Sequence, residues 1–376
     1  MKVNKSYLML YPNIIPVQGF NRSVLMDLYI GNYLFIPNYL CDFLLKNKNE
    51  KLRKSDFLNL AQSDEDKHKI TELLNYLIEQ DYLTEADWEL AKGLSVKEPK
   101  KTEDSLITDC IMELSHVSDW QINRFLSEIN RIGVKFLEIR FLDFPTFEKH
   151  LNTIQSALHY HSVEFVHLLV PFNNNLADWI NTSLSEFTRL NQLTIYNTNY
   201  TFDAGVCPFQ ITFLNQKSID QTQCGCISPY HFNFNIISYY DSQKVNSCLA
   251  NKLSIDQYGN IRNCPSKKDS FGKLEELDIE QTVQLRTFQQ EWHITKESIL
   301  VCSDCEFRWM CSDCRVFIQD ENVYSKPSKC GYNPYISKWI NESGYVTESE
   351  CGVSVENGRL FIDEDRLNQI NEQLWN

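Results

Sequence analysis

CSDCEFRWMCSDCR, residues 302–315, places four cysteines within thirteen consecutive positions of an otherwise ordinary chain. A C-x2-C pair lets one tight turn bring two thiolates to a single metal centre, the remaining ligands coming from elsewhere. Cys302 and Cys305 form one such pair, and Cys311 and Cys314 a second. Outward from them, Cys248 and Cys264 flank a turn signal at Gly259-Asn260, and Cys330 follows in SKPSKCGYNPY, residues 325–335.

The rest of the chain decides how these thiols are read. With 376 residues and 44.2 kDa there is enough chain for two or three domains and a substantial core, so a fold stapled by disulfides is not required. A formal charge of −14 has the wrong sign for gripping phosphates, which argues against nucleic acid as a partner. No apolar run approaches the roughly 18 to 20 residues needed to span a bilayer, so no membrane partner is expected either. The start, MKVNKSYLMLYPNIIPVQGF, is interrupted by Pro12 and Asn13 and shows no small-residue cleavage site, so no signal peptide is expected. The expectation is a cytoplasmic protein, whose thirteen cysteines bind metal or do chemistry more readily than they form disulfides.

Residues 20–40, FNRSVLMDLYIGNYLFIPNYL, predict two strands, Val24 to Tyr29 and Tyr33 to Ile36, joined through Gly31, with Pro37 opening a short helix. Ile70, Leu73, Leu74, Leu77 and Ile78 recur at helical spacing behind an acidic start. A hairpin with several helices in under 90 residues suggests a winged-helix-like module at 1–92, and the polar, lysine-rich stretch 91–105 fits a linker.

Beyond it, apolar runs around Ile111, Ile139, Leu168 and Ile195 lie about 28 residues apart, with amphipathic segments between them. Helices are expected around Ile122 to Ile132, around Phe147 to Leu158, and from Asn174 to Arg189. Such a period implies βαβ units with a parallel sheet of about four strands over 105–220, half of a (β/α) barrel, and FQITFLN (209–215) adds a strand. Cysteines and aromatics then crowd 221–345, and the tail 346–376 reads as a hairpin turning at Asn357-Gly358 followed by a helix. The fold class expected is therefore α+β and α/β, multidomain.

The order C-x10-G-x4-C (Cys248, Gly259, Cys264), C-x2-C-x5-C (Cys302, Cys305, Cys311), then Cys314 and Cys330 resembles the SPASM domain, the carboxy-terminal extension of many radical S-adenosylmethionine enzymes that modify peptides. One departure is the last pair, C-x2-C where the pattern has C-x3-C. With CGCISPYHF, NIRNCPS and SKPSKCGYNPY, the chain is similar over roughly 5–340 to the SPASM-domain peptide maturases of grasp-with-spasm systems, companions of an ATP-grasp ligase that cross-links a ribosomally made peptide.

That resemblance implies two auxiliary [4Fe-4S] clusters. Cys302, Cys305, Cys311 and Cys330 would ligate one; Cys248, Cys264 and Cys314 would ligate the other, completed by Cys224, with Cys226 as its rival. Two zinc sites are the alternative, since four thiolates suit zinc as well. Cys41, Cys110, Cys207, Cys226 and Cys351 are left as small buried hydrophobes.

The family's radical site needs C-x3-C-x2-C after the first barrel strand. Here that place reads ITDCIMELSHVSDWQ (107–121), with Cys110 inside the strand and no thiol following until Cys207. Where the family carries a Gly-Gly-Glu-like run, this chain has RFLDFPTFE (140–148). No S-adenosylmethionine is expected, no catalytic residue is assigned, and the half barrel reads as a degenerate scaffold. His159, His161 and His167 lie at one helix-to-strand connection as a weaker candidate site. The amino-terminal module resembles the RiPP recognition element, which binds a precursor's leader as an added strand; the expected contacts are Val24, Met26 and Leu28, on the Val24–Tyr29 edge or its neighbour. The function so implied is an accessory maturation protein that binds a leader and acts with an ATP-grasp ligase. The alternatives are an enzyme working through its auxiliary clusters and a zinc-stabilised interaction protein.

Overall fold

The structure is a computed structural model that describes residues 7–48, 50–86, 98–99, 105–115, 117–199, 201, 207–218 and 224–375. Most of the expected linker 91–105 falls outside these residues. The chain forms two compact units: 1–100 with 227–247 and 294–376, and 101–226 with 248–293.

The second unit is built on a seven-stranded sheet. Its order is Gln210–Phe213, Leu190–Tyr196, Phe165–Pro171, Phe136–Phe141, Asp109–Leu114, Lys252–Ile255 and Ile261–Arg262, parallel throughout except the last strand. The four repeats supply four strands, as their period predicts. Alternation does the rest: in Asp109–Leu114, Cys110, Met112 and Leu114 are buried, and Leu137, Ile139 and Phe141 sit in register beside them. The helices Asp119–Arg131 and Phe144–Leu158 present Ile122, Phe125, Leu126, Ile129, Phe147, Leu151 and Ile154 to the core. Each such side chain contributes roughly 1.5–3 kcal/mol on burial. Ser118 and Gln121 form a capping box at the first helix, and Asp143 caps the second, with Pro145 in its first turn. The third expected helix is shorter. Only Leu176–Trp179 is α-helical, and a π turn over Ile180–Leu184 keeps Leu176, Ile180 and Leu184 inward.

Lys252–Ile255 and its antiparallel partner Ile261–Arg262 are the hairpin expected at Gly259-Asn260, and Gly259 has φ +76°. They complete this sheet by pairing with Asp109–Leu114 rather than forming a separate cysteine-rich body, so the expected domain at 221–345 is divided between the two units. Leu253, Ser254 and Ile255 are all buried, and no surface strand accommodates three such residues in succession.

In the first unit, Ile14–Val17, Ser23–Asp27 and Asn32–Ile36 form an antiparallel sheet with Ser23–Asp27 in the centre, while Tyr7–Leu10 pairs with Leu83–Ala86. Gly31, φ +78°, turns the hairpin, and Pro37 precedes the helix Asn38–Lys46. One face of the sheet, including Leu25 and Ile36, packs with Leu40, Leu44, Phe57, Ile70, Leu74 and Leu77 from this helix, Lys54–Leu58 and Asp64–Glu79. The other face packs Val17, Val24, Met26 and Leu28 against Tyr239, Phe307, Met310 and Tyr332. The tail folds as expected: the hairpin Val353–Glu356 and Arg359–Ile362 turns through Asn357 and Gly358, both at positive φ, and the helix Glu364–Trp375 follows. Among the described residues no helix is long and apolar enough to cross a membrane.

Candidate metal centre

Four of the eight expected ligands, Cys302, Cys305, Cys311 and Cys330, belong to the first unit and act on one another electrostatically. Local backbone geometry presents them. Cys302–Asp304 is a 3-10 turn, closed when Cys305 N–H donates to the Cys302 carbonyl at 3.1 Å. Cys311 N–H reaches Phe307 O at 2.9 Å, and Cys330 N–H reaches Pro327 O at 3.0 Å. Val301, directly before the first thiol, is held at φ +67°, a left-handed conformation rarely adopted by a β-branched residue and costing of order 1–3 kcal/mol. None of the four is in a disulfide.

The surroundings are charged, with Cys302 buried and Cys305, Cys311 and Cys330 half-buried. Lys296 and Lys326 are 4% and 3% exposed. Lys296 Nζ lies 3.4 Å from Asp313, which also receives Arg315 through Nε at 3.0 Å and Nη2 at 2.8 Å, and an amide hydrogen bond from Asn246 at 2.6 Å. Two buried cations thus share one carboxylate, leaving a positive charge to be balanced. Lys326 pairs with Glu348 and donates to Tyr332 O at 2.7 Å. Burial would lower the Lys296 ammonium, yet it is raised, because Cys311, Asp313, Cys302 and Cys330 surround it. Burial pushes Cys302 up to about 11 and Cys311 up to about 12 against the pull of Lys296. Cys305 is also pushed well up, by burial and then Glu306, although the Phe307 N–H donates to its sulfur at 3.4 Å.

Raised in this way, the Cys302, Cys305 and Cys311 thiols favour their protonated form, and a bound cation would have to displace those protons. Four thiolates around [4Fe-4S] or zinc carry net negative charge, and the surplus ammonium is the counter-charge such a centre needs; in donor type and charge the residues fit either group. Among the described residues, no three Cys, His, Asp or Glu side chains converge closely enough to hold an ion as they stand.

The other expected set is divided. Cys224, Cys248 and Cys264 belong to the sheet-bearing unit and Cys314 to the first. Cys248 and Cys264 help raise the ammonium of Lys252, which burial alone would lower, and Cys224 acts in the same direction on Arg140. Cys226, the rival to Cys224, is exposed.

Ser23–Asp27 is hydrogen-bonded on both sides, and Val24, Met26 and Leu28 are buried against Tyr239, Phe307 and Tyr332. The Val24–Tyr29 edge expected for a peptide is thus the central strand of its sheet; the sheet's edges are the neighbours Ile14–Val17 and Asn32–Ile36. The histidines do not converge on a site: His161 Nε2 meets the Leu126 carbonyl at 2.7 Å, while His167 lies 2.8 Å from Thr194 Oγ1 and 3.4 Å from Glu138. Sequence reasoning passed over Lys296, Asp313, Arg315 and Lys326, since single polar residues in loops carry no periodicity. It also passed over Arg22, whose Nε donates to the fully buried Glu306 at 2.8 Å beside Cys305.

No family model and no curated protein matches the chain. Among solved structures it is similar to Streptococcus suis SuiB, at 10% identity and a TM-score of 0.34, covering 86% of this chain and 99% of that one. SuiB bound to precursor peptide SuiA matches at 9% and 0.27, covering 85% and 99%. SuiB bound to S-adenosylmethionine matches at 9% and 0.28, covering 84% and 98%. TM-scores below 0.5 do not establish a shared fold.

Proposed function

We propose that this protein is an accessory factor in the maturation of a ribosomally synthesised peptide: it holds auxiliary [4Fe-4S] clusters on its thiols, captures the precursor's leader and acts with an ATP-grasp ligase. The observation that carries the metal half is the surplus buried cation at Lys296, set among Cys302, Cys311 and Cys330. A buried charge without a partner is costly, and a thiolate-ligated centre supplies that partner. Cys302, Cys305, Cys311 and Cys330 would hold one cluster, and Cys224, Cys248 and Cys264, in the sheet-bearing unit, would supply ligands to a second. Bound there, a cluster ties distant chain segments together and offers electron transfer.

The leader, in this reading, adds as a strand along Asn32–Ile36. That strand ends its sheet and contains no proline, whereas Ile14–Val17, at the other edge, contains Pro16. The three-stranded sheet shares a core with Phe307 and Met310, so peptide and metal sites would stand on one body.

Iron, sulfide and zinc content of protein prepared without oxygen tests the metal half. Brown protein with about four irons per cluster is expected, and Cys305→Ser should lower the iron by about half. Colourless protein containing zinc would replace the clusters with a zinc-stabilised interaction protein. A pull-down in which neither precursor nor ligase is retained would end the partner half.

A further inference from the structure

A cleft of about 520 Å³, lined by none of the thiols, lies in the first unit between the turn that precedes Ser23–Asp27 and the terminal helix Glu364–Trp375. Asn368, Asn371, Glu372 and Trp375, at i, i+3, i+4 and i+7, bring one helical stripe to its wall; Asn21 and Arg22 face them, and Ser337 completes the lining. The volume is that of a small-ligand site.

The wall is held in place before any ligand arrives. Arg22 stacks on Phe35 at 3.6 Å, with Nε on Glu306 and Nη2 3.3 Å from the Tyr332 hydroxyl. Asn371 donates to the Tyr335 carbonyl at 3.0 Å and accepts from Asn21 at 3.4 Å. Asn368 is exposed and, among the described residues, makes no side-chain hydrogen bond. Ser337, 2% exposed and at φ +54°, has a buried hydroxyl without a partner. Trp375 is 52% exposed, its indole beneath Lys338 Nζ at 4.6 Å.

Arg22 is already neutralised by Glu306, and the Glu372 carboxylate is offset by the Lys338 ammonium over Trp375, so the cleft carries no net charge. The Asn368 carboxamide, and the hydrogen-bonding positions that Asn21 and Asn371 have left over, match the N–H and C=O of a peptide bond, and the half-exposed Trp375 indole offers a seat for a side chain. We infer that this cleft binds a short extended segment of uncharged peptide main chain, with Asn368 and Asn371 as the amide-reading groups and Trp375 as the stacking surface. The contact differs from leader addition at Asn32–Ile36 and uses none of the thiols, so a full chain that neither retains iron nor captures a precursor would still show it.

The full-length protein tests this with the capped hexapeptide acetyl-Ala-Thr-Phe-Thr-Ala-Gly-amide as probe, following the Trp375 indole N–H resonance, assigned with Trp375→Phe. The peptide should shift that resonance saturably, and Asn368→Ala should weaken binding about fivefold with an unchanged melting temperature, the loss of one hydrogen-bonding group. A resonance that does not move, an Asn368→Ala protein that binds equally well, or a response to tri-N-acetylglucosamine as strong as that to the peptide would each overturn the assignment.

Discussion

Lys296 is an ammonium sealed from water that shares Asp313 with Arg315. If it serves mainly as counter-charge to a thiolate centre, Lys296→Met should act oppositely in two states. The metal-loaded protein should lose roughly 1–3 kcal/mol and release metal faster, while the metal-free protein should be unchanged or more stable, having lost an uncompensated buried charge. Melting temperatures before and after chelation measure both; equal losses would make Lys296 merely a partner of Asp313. Gly19 is a second sensitive residue. A Cβ there would lie 2.4 Å from the Arg22 carbonyl and 2.9 Å from both the backbone nitrogen and Cβ of Glu306, next to Cys305. Because two of these three atoms are backbone, little can yield, and Gly19→Ala should destabilise by about 1–3 kcal/mol, read from urea midpoints.

The parallel sheet presents its helices with apolar residues, but its other alternation carries charge. Glu113, Glu138, Arg140 and His167 share that face with Thr194, Arg140 Nε lying 2.6 Å from Glu138. Burial alone would raise the Glu138 carboxyl, yet hydrogen bonds and charge from His167 and Arg140 bring it down from 4.5 to about 2. A folded-state value below the unfolded one stabilises above the unfolded value and is lost as pH falls from about 4.5 towards 2; the depression is worth about 3 kcal/mol. Glu138→Gln should therefore flatten the dependence of urea midpoints between pH 5 and 3, while an unchanged slope would exclude Glu138 as its source. The strand pattern was legible because apolar runs around Ile111, Ile139, Leu168 and Ile195 recur about 28 residues apart, and the helices because Ile122, Phe125 and Ile129 recur at the right interval. Lys252–Ile255 was not legible as part of this sheet: it lies 138 positions beyond Asp109–Leu114 (252 − 114), and nothing local records a pairing at that range. The π turn at Ile180 escaped for a similar reason, since Leu176, Ile180 and Leu184 keep the same inward spacing in either helix type.

At the scale of the whole molecule the chain alternates between its two units, with boundaries at 100/101, 226/227, 247/248 and 293/294. Thiol spacing suggests ligands but does not record that Cys314 falls in one unit and Cys248 and Cys264 in the other, because tertiary partition is set by which apolar faces need covering. The amino-terminal sheet shows this most clearly. All five residues of Ser23–Asp27 are buried, which a module with one solvent-facing sheet surface does not require. Val17, Val24, Met26 and Leu28 are covered by Tyr239, Phe307, Met310 and Tyr332, which lie more than two hundred positions later. A fragment ending at residue 100 would keep the helices and the core around Leu25, Leu40 and Leu74, yet expose four large apolar side chains at roughly 1.5–3 kcal/mol each. It should aggregate or bind a hydrophobic dye, and Val24→Thr with Met26→Thr should improve its solubility while destabilising the full chain. If the fragment instead unfolds cooperatively as a soluble monomer, the sheet is self-sufficient and its cover by Phe307 and Tyr332 contributes little to folding.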